Sequence, residues 1–253
     1  MKSFQRALVT GASSGLGRAI CVELARQGTS IVACARRGDL LRELVLDLAA
    51  RGVQAAAVTL DVTRPEEVRA AVEAASREGP LDLVVAAAGV AEHSVEAADR
   101  GARTRRVLDV NLAGAVTTVE AAVEAMGPGG GTIGVLSSLA GTRGLPGAAA
   151  YCASKAALST YLEARQIELA RRGIRLVDVQ PGFVRTPMTE PNEFPMPFLM
   201  DVEIAARRTV DGLLAGRPVV AYPRRLAWPL RLVAALAPRA AWRRMLARRE
   251  GRP

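Results

Sequence analysis

The chain has 253 residues and is poor in the side chains that build metal centres and disulfide frameworks: one histidine, His93, and three cysteines, Cys21, Cys34 and Cys152. The cysteines stand far apart with no Cys-x-x-Cys pair, and an odd number leaves one without a partner. A disulfide scaffold and a cysteine zinc site are excluded, and a reducing, cytoplasmic compartment is expected. A lone histidine without a carboxylate cluster holds no metal, so none is expected, and His93 reads as a polar loop residue. No apolar run reaches the roughly 20 residues of a spanning helix. MKSFQ leads straight into Ala7-Leu8-Val9 without the apolar stretch of a signal peptide, so neither an anchor nor secretion is expected. Acid is missing from one end. From Gly216 to Pro253 there are ten arginines against Glu250 alone, while Met1 to Ala215 holds 24 of each sign, so the whole net charge of +9 lies in the last 38 residues. A basic chain raises nucleic acid as a partner, but a neutral body with a basic tail confines that idea to one segment, which carries no nucleic-acid-binding motif.

What is present is half apolar and 23% charged, the composition of one globular domain. Short apolar runs alternate with longer amphipathic segments. The pattern predicts strands at Arg6–Thr10, Ser30–Ala35, Val53–Leu60, Leu81–Ala86, Thr132–Leu136, Ile174–Gln180 and Val219–Ala221. Helices are predicted at Gly15–Gln27, Asp39–Arg51, Pro65–Arg77 and Ala149–Arg172, with a long one ending near Met126. Runs such as Leu83-Val84-Val85-Ala86 suit a parallel sheet covered on both faces. Repeated βα units imply a Rossmann-type doubly wound α/β fold whose ligand lies beyond the carboxyl ends of the strands. The GPGGG run at 127–131 reads as a helix stop and turn. A catalytic domain over 1–222 and a basic amphipathic extension over 223–253 are expected.

The first strand ends at Thr10-Gly11-Ala12-Ser13-Ser14-Gly15-Leu16-Gly17 and opens a helix, where backbone N–H groups and the helix dipole can receive a pyrophosphate. The spacing G-x-x-x-G-x-G is weak evidence alone. After the second strand, where an acid would hold a ribose 2′-hydroxyl, stand Arg36 and Arg37. Two guanidiniums matched to a phosphate dianion favour NADP(H) over NAD(H), with solvated turn arginines as the alternative. Tyr151 and Lys155 share one helix face at i and i+4, and an adjacent ammonium favours the phenolate. Lys155 is one of two lysines in an arginine-rich chain. Ser137-Ser138 ends the preceding strand and faces the same crevice.

The stretch Thr10–Gly17, Asn111 within Val-Asn-Leu-Ala-Gly, Ser138 within LSSLAG, Tyr151-Cys-Ala-Ser-Lys155 and Pro181-Gly182-Phe-Val-Arg-Thr186 resemble the short-chain dehydrogenase/reductase family, in its single-domain branch of about 250 residues. The match runs from Arg6 to about Thr186, with Ser138 thirteen residues before Tyr151. The resemblance implies hydride transfer between a nicotinamide and an alcohol or carbonyl carbon. It implies Tyr151 as general acid/base, Lys155 lowering its pKa and bonding the nicotinamide ribose, Ser138 steadying the substrate oxygen, and Asn111 holding a relay water. Ser137 is the weaker candidate for the serine role. Cofactor contacts are expected from Gly11, Ser13, Ser14, Gly15, Leu16, Gly17, Arg36, Arg37, Tyr151 and Lys155. Asp61 and Val62 would flank the adenine, Ala88 and Gly89 the ribose, and Pro181, Gly182, Val184 and Thr186 the nicotinamide. The family's Asn-Asn-Ala-Gly is Ala86-Ala87-Ala88-Gly89 here, which removes two side chains that tie strands together. His93 would stand near the substrate mouth, Cys152 would pack, and Glu120, Glu124 and Glu163 would be surface charges.

The family places its substrate lid at 188–200, here MTEPNEFPMPFLM. Its apolar, Met-rich composition suggests a hydrophobic pocket, or burial against the tail or a neighbouring subunit. In the tail, Pro223, Pro229 and Pro238 cut two short helical pieces, one with Trp228, Leu232, Val233 and Leu236 on its apolar side, the other with Trp242, Met245 and Leu246. These pieces would pack over the substrate entrance or a dimer partner, lie on a membrane surface, or meet nucleic acid or an acidic carrier. The expected function is an NADP(H)-dependent oxidoreductase of a small apolar secondary alcohol or ketone, working as a homodimer or homotetramer. A 3-oxoacyl-thioester reductase, with Arg171 and Arg172 facing a carrier protein, is the second expectation, and a non-catalytic cofactor-binding scaffold or redox sensor the third.

Overall fold

The computed structural model describes residues 3–127 and 129–250, and side chains in the last helix only through 247. The outer ends of the two expected segments and Pro128 of the predicted turn lie outside these residues. The strands are β1 (Arg6–Thr10), β2 (Ser30–Ala35), β3 (Ala55–Thr59), β4 (Leu83–Ala86), β5 (Gly131–Leu136), β6 (Ile174–Pro181) and β7 (Val219–Tyr222). The helices are α1 (Gly15–Ala25), α2 (Gly38–Ala50), α3 (Pro65–Arg77), α4 (Arg100–Leu108), α5 (Gly114–Ala125), α6 (Ala149–Ala170), α7 (Val202–Leu214), α8 (Arg224–Leu236) and α9 (Arg239–Glu250). Local chemistry explains several boundaries. α3 starts with Pro65 in its first turn followed by Glu66 and Glu67, and ends on Arg77, so its charges complement its dipole. β4 begins two residues later than the expected Leu81, where the Asp82 carboxylate accepts from the N–H groups of Gln5 (2.7 Å) and Arg6 (3.0 Å).

All seven strands are parallel, in the order β3-β2-β1-β4-β5-β6-β7. The order reverses between β1 and β4, and there the carboxyl ends of neighbouring strands diverge into a crevice. Side chains alternate between two cores. Ala7, Val9, Ile31 and Ala33 face α1, α2 and α7, while Leu8, Val32 and Val84 face α3, α5 and α6. Burial on both sides is why these strands read as unbroken apolar runs. Where Ala86 and Ala87 stand in place of the expected asparagines, the Thr10 hydroxyl accepts from Ala87 N–H at 3.2 Å and donates to Val85 O at 3.5 Å, bridging β1 to the end of β4.

Two expectations need correction. The long helix ending near Met126 is two helices joined by a π-helical turn at Asp109–Ala113. Its wider winding turns Asn111 inward, where it is fully buried, while α5 starts at a glycine whose Cβ would stand 2.8 Å from Val62. In the tail, Pro229 lies inside α8 and does not divide it; the break falls at Ala237-Pro238. The side of α8 holding Trp228, Leu232, Val233 and Leu236 is exposed, and Ala227 and Leu226 pack on the body instead.

Candidate active site

The crevice begins at the turn after β1. Gly11 has φ +70°, and a Cβ there would stand 2.6 Å from Ala88 N; one on Gly17 would strike Gly11 O. The two glycines thus bring the end of β1, the chain after β4 and α1 together more closely than side chains allow. α1 starts without a side-chain cap at Ser14 and with no acid in its first turn, so free N–H groups and the positive end of the helix dipole face the crevice. A cradle that excludes Cβ atoms beside an uncapped helix N-terminus fits the pyrophosphate of a dinucleotide.

Arg36 and Arg37 are not equivalent. Arg37 donates to Ser13 Oγ (2.9 Å) and Ser14 Oγ (2.5 Å), fastening the loop to the end of β2. Arg36 is half exposed and stands 4.0 Å from Asp61. Burial works to raise the Asp61 carboxyl, but hydrogen bonds from Thr63 N–H (3.0 Å), Thr63 Oγ1 (2.9 Å) and Arg106 (3.1 Å) outweigh it and hold it below the usual carboxylate range. Arg106 escaped the sequence reading because it lies on α4, 45 residues from its partner.

At the other end, α6 carries Tyr151 and Lys155. The ammonium lies 5.8 Å from the Tyr151 ring centroid and donates to Leu136 O at 2.7 Å. Burial pushes Lys155 down to about 8, opposed by the Asp178 carboxylate. Burial also raises the Tyr151 phenol, with the Ser138 hydroxyl acting in the other direction. Against the expected net lowering of Tyr151, desolvation sets the direction upward, while the ammonium stays beside the ring and bonds a carbonyl of β5. Ser138 begins a 3-10 turn at Leu139–Thr142, accepts from Ala140 N–H (3.1 Å) and donates to Pro181 O (3.3 Å). Ser137 points the other way, bonding the Asp178 carboxylate and Val179 O. Asn111 holds Val90 at both backbone groups, accepting its N–H at 2.8 Å and donating to its carbonyl at 2.9 Å, and donates to Ser154 Oγ at 3.2 Å. Both amide hydrogens are engaged.

Every residue expected to contact a cofactor, from Gly11 to Thr186, lines one cleft, with Tyr151 and Lys155 at its inner end. Ser138 and Asn111 are not among its lining residues, whereas Ser137 is, and the Ser138 hydroxyl reaches Tyr151 instead. Val90, Ser94, Leu136, Pro187, Met188 and Thr189 also line it, although their residue types give no chemical signal in the sequence. Thr189 fixes the loop beside Thr186, donating to Val184 O at 2.6 Å and accepting from Thr186 N–H at 3.1 Å.

The segment 188–200 leaves the cleft at Met188 and returns at Met200, which pairs with Val184. His93 Nε2 is 3.0 Å from Met188 O, so the histidine touches the lid's first residue. Its neighbour Glu92 accepts the Ala150 N–H (3.0 Å), doing for α6 what its own N-cap Ala148 does not. Cys152 is buried, as its packing role requires. Glu120 is more than a surface charge: it bonds the Tyr161 hydroxyl and Arg165 (2.7 and 3.0 Å) between α5 and α6. Among the described residues no group of three or more His, Cys, Asp or Glu is arranged to hold a metal. No described helix is long and apolar enough to cross a membrane.

Residues 5–195 match the family model described as short chain dehydrogenase. An uncharacterised oxidoreductase of Myxococcus xanthus is 42% identical over 237 residues, 92% of this chain and 93% of its own length. A cyclohexanol dehydrogenase of an Acinetobacter species is 35% identical over 187 residues, 72% of this chain and 74% of its own. Among solved structures, an actinorhodin polyketide ketoreductase with NADPH superposes with a TM-score of 0.77 at 29% identity, covering 88% of this chain and 97% of the other. A short chain dehydrogenase from Mycobacterium paratuberculosis bound to NAD gives 0.75 at 30% identity, covering 86% and 94%.

Proposed function

The chain belongs to the short-chain dehydrogenase family and is an oxidoreductase, and from that membership we propose that it transfers a hydride between NADP(H) and a small apolar secondary alcohol or ketone. The observation that carries the proposal is the placing of Tyr151 and Lys155 at the inner end of the glycine-lined cleft, with the Ser138 hydroxyl against Tyr151. A bound nicotinamide dinucleotide supplies or accepts the hydride. The protein's residues handle the proton and the developing charge. Tyr151 is the group placed to donate a proton to a substrate oxygen in reduction and to take it back in oxidation. Ser138 donates to the same oxygen once its bond to Pro181 O is exchanged for the substrate. Lys155 remains largely protonated at pH 7, with Asp178 as its counter-charge, and steadies the phenolate left behind. The Asn111 side chain is committed to Val90 and Ser154, so it ties the chain after β4 to α6 beside the proposed proton donor.

Arg36 supports NADP(H). It is half exposed at the end of β2 with only a long ion pair, so its guanidinium is available to a 2′-phosphate, while Arg37 positions the serines of the loop. Met188 in the cleft wall, with Phe194 and Phe198 half exposed on the lid, supports an apolar substrate. The likeness to a polyketide ketoreductase favours a 3-oxoacyl-thioester as the second reading, but Arg172 donates to Val123 O at 3.1 Å and leaves Arg171 alone to meet a carrier. Family membership supports assembly as a homodimer or homotetramer.

A panel of apolar ketones and secondary alcohols, followed by nicotinamide absorbance, tests the function. Turnover with NADPH that Tyr151→Phe abolishes is expected. Cofactor binding without turnover on any member would replace the enzyme by a binding scaffold.

A further inference from the structure

The helix α8 is apolar on two opposite sides. One side is used: Leu226 packs on Gly182 and Ala227 is buried, while Arg231 donates to Gln180 Oε1 at 2.5 Å. Across the helix stand Trp228, Leu232 and Leu236, at i, i+4 and i+8, exposed by 72%, 60% and 74%. A stripe at that spacing faces one direction over the whole helix, and three large side chains in a row are not the scattered exposure of an ordinary surface. The stripe is held rigidly in place. Arg143 bonds the carbonyls of Ala234 and Ala237 (2.8 Å to the latter), and the Trp242 indole N–H on α9 donates to Gly144 O at 2.9 Å, so both helices are anchored to the loop that follows β5.

The charge around the stripe selects what covers it. Exposed Arg224 and Arg225 stand at the start of α8, and exposed Arg239, Arg243 and Arg244 lie on α9; residues 224–247 include no acid. A second copy meeting this face with its own would set arginines against arginines with no carboxylate in the segment to pair them, a costly arrangement for a closed twofold contact. An anionic bilayer surface meets both demands, because its headgroups pair with guanidiniums while its acyl boundary takes Trp and Leu. We propose that α8 and α9 form a docking face for an anionic phospholipid membrane, with Trp228, Leu232 and Leu236 entering the headgroup boundary. The dock adjoins the substrate side of the cleft: Gly182, which touches Leu226, lines it, and the next residue, Phe183, packs edge-on against Phe194 of the lid at 6.0 Å. The docking itself is independent of the proposed reaction.

The full chain is sedimented with vesicles of phosphatidylcholine containing about one third phosphatidylglycerol, and with phosphatidylcholine alone, at about 150 mM salt. Partition onto the anionic vesicles at least ~10-fold above the neutral ones is expected, weakening several-fold at about 500 mM salt, with a blue shift of Trp228 emission. Leu232→Ser with Leu236→Ser is expected to lower partition ~10-fold or more while melting temperature and oligomeric mass stay at wild-type values. A wild-type chain left in the supernatant overturns the proposal, as does equal partition onto neutral vesicles. Undiminished vesicle binding by the double variant overturns the assignment of the face, and a loss of oligomeric mass in that variant makes a second copy the occupant. Should the double variant melt early, Trp228→Ala gives the same readout from a single surface position.

Discussion

Replacing Lys155 with methionine separates what the buried charge does for the reaction from what it costs the fold. Burial holds this lysine at about 8, against an ordinary value of 10.5, so the folded chain binds its proton less tightly than the unfolded chain does. Where the unfolded state binds more protons, stability rises with pH. The window lies between the two values: below about pH 8 both states carry the proton and the full penalty is present, and it fades as pH climbs towards 10.5. At ~1.4 kcal/mol per pKa unit, the wild type should gain ~2 kcal/mol relative to Lys155→Met between about pH 7 and pH 9.5. The variant also loses the 2.7 Å bond to Leu136 O, which leaves a buried carbonyl unpaired. That loss costs ~1–3 kcal/mol but is the same at both pH values, so it cancels from the difference. Urea unfolding of both proteins at the two pH values, followed by circular dichroism, measures the change directly. Parallel pH dependence in the two proteins would refute the buried-charge reasoning, and a gap moving the opposite way would mean that Asp178 over-compensates the burial. Turnover by the variant should be lost at either pH.

Arg36→Ala should raise the KM for NADPH ~10-fold or more while changing that for NADH less than about twofold, because charge-assisted bonds to a phosphate contribute ~1.5–3 kcal/mol; steady-state kinetics with both cofactors checks this, and equal effects would remove the phosphate role. Gly11→Ala places a Cβ 2.6 Å from Ala88 N at a φ of +70°, so a loss of ~2–4 kcal/mol and of cofactor binding is expected from thermal melts and fluorescence titration. Glu92→Ala removes the acceptor at the start of α6 and should cost ~1 kcal/mol in denaturant unfolding, whereas Glu92→Gln keeps an acceptor and should recover more than half of it.

The period of the apolar residues carried most of the fold into view. Strands buried on both faces need unbroken apolar runs, and β1, β2 and the start of α3 fall where those runs and the Pro-Glu-Glu signal place them. The π-helical turn at Asp109–Ala113 was not legible, because it changes the winding of the helix without a proline or a break in apolar spacing. In the site, residue identity and spacing named the groups, but the side-chain partners came from distant chain. Arg37 spends its guanidinium on Ser13 and Ser14, Asp61 takes Arg106, and Lys155 turns to Leu136 O. The direction of the Tyr151 shift depends on those partners and on depth, and spacing along a helix reports neither. In α8 both sides are apolar, so periodicity found the helix without choosing the face that packs.

The partners also join two parts of the molecule that composition set apart. Asp178, the buried counter-charge to Lys155, receives a hydrogen bond from Gln180 Nε2 at 2.6 Å, and Gln180 Oε1 receives one from Arg231 of α8 at 2.5 Å. An amide has one accepting and one donating end, so a guanidinium at the oxygen fixes the nitrogen towards the carboxylate. Ser137 holds the other Asp178 oxygen, and the same carboxylate is thereby clamped from β5 and from the tail. An aspartate fixed in this way keeps its charge directed at the buried ammonium at no further reorganisation cost, which is what a lysine with a depressed pKa needs to stay protonated at pH 7. Among the described residues, Arg224, Arg225, Arg239, Arg243 and Arg244 face solvent, whereas Arg231 bonds Gln180 and through it the carboxylate beside Lys155. One arginine of the basic segment is thereby tied by hydrogen bonds to the counter-charge of the buried lysine.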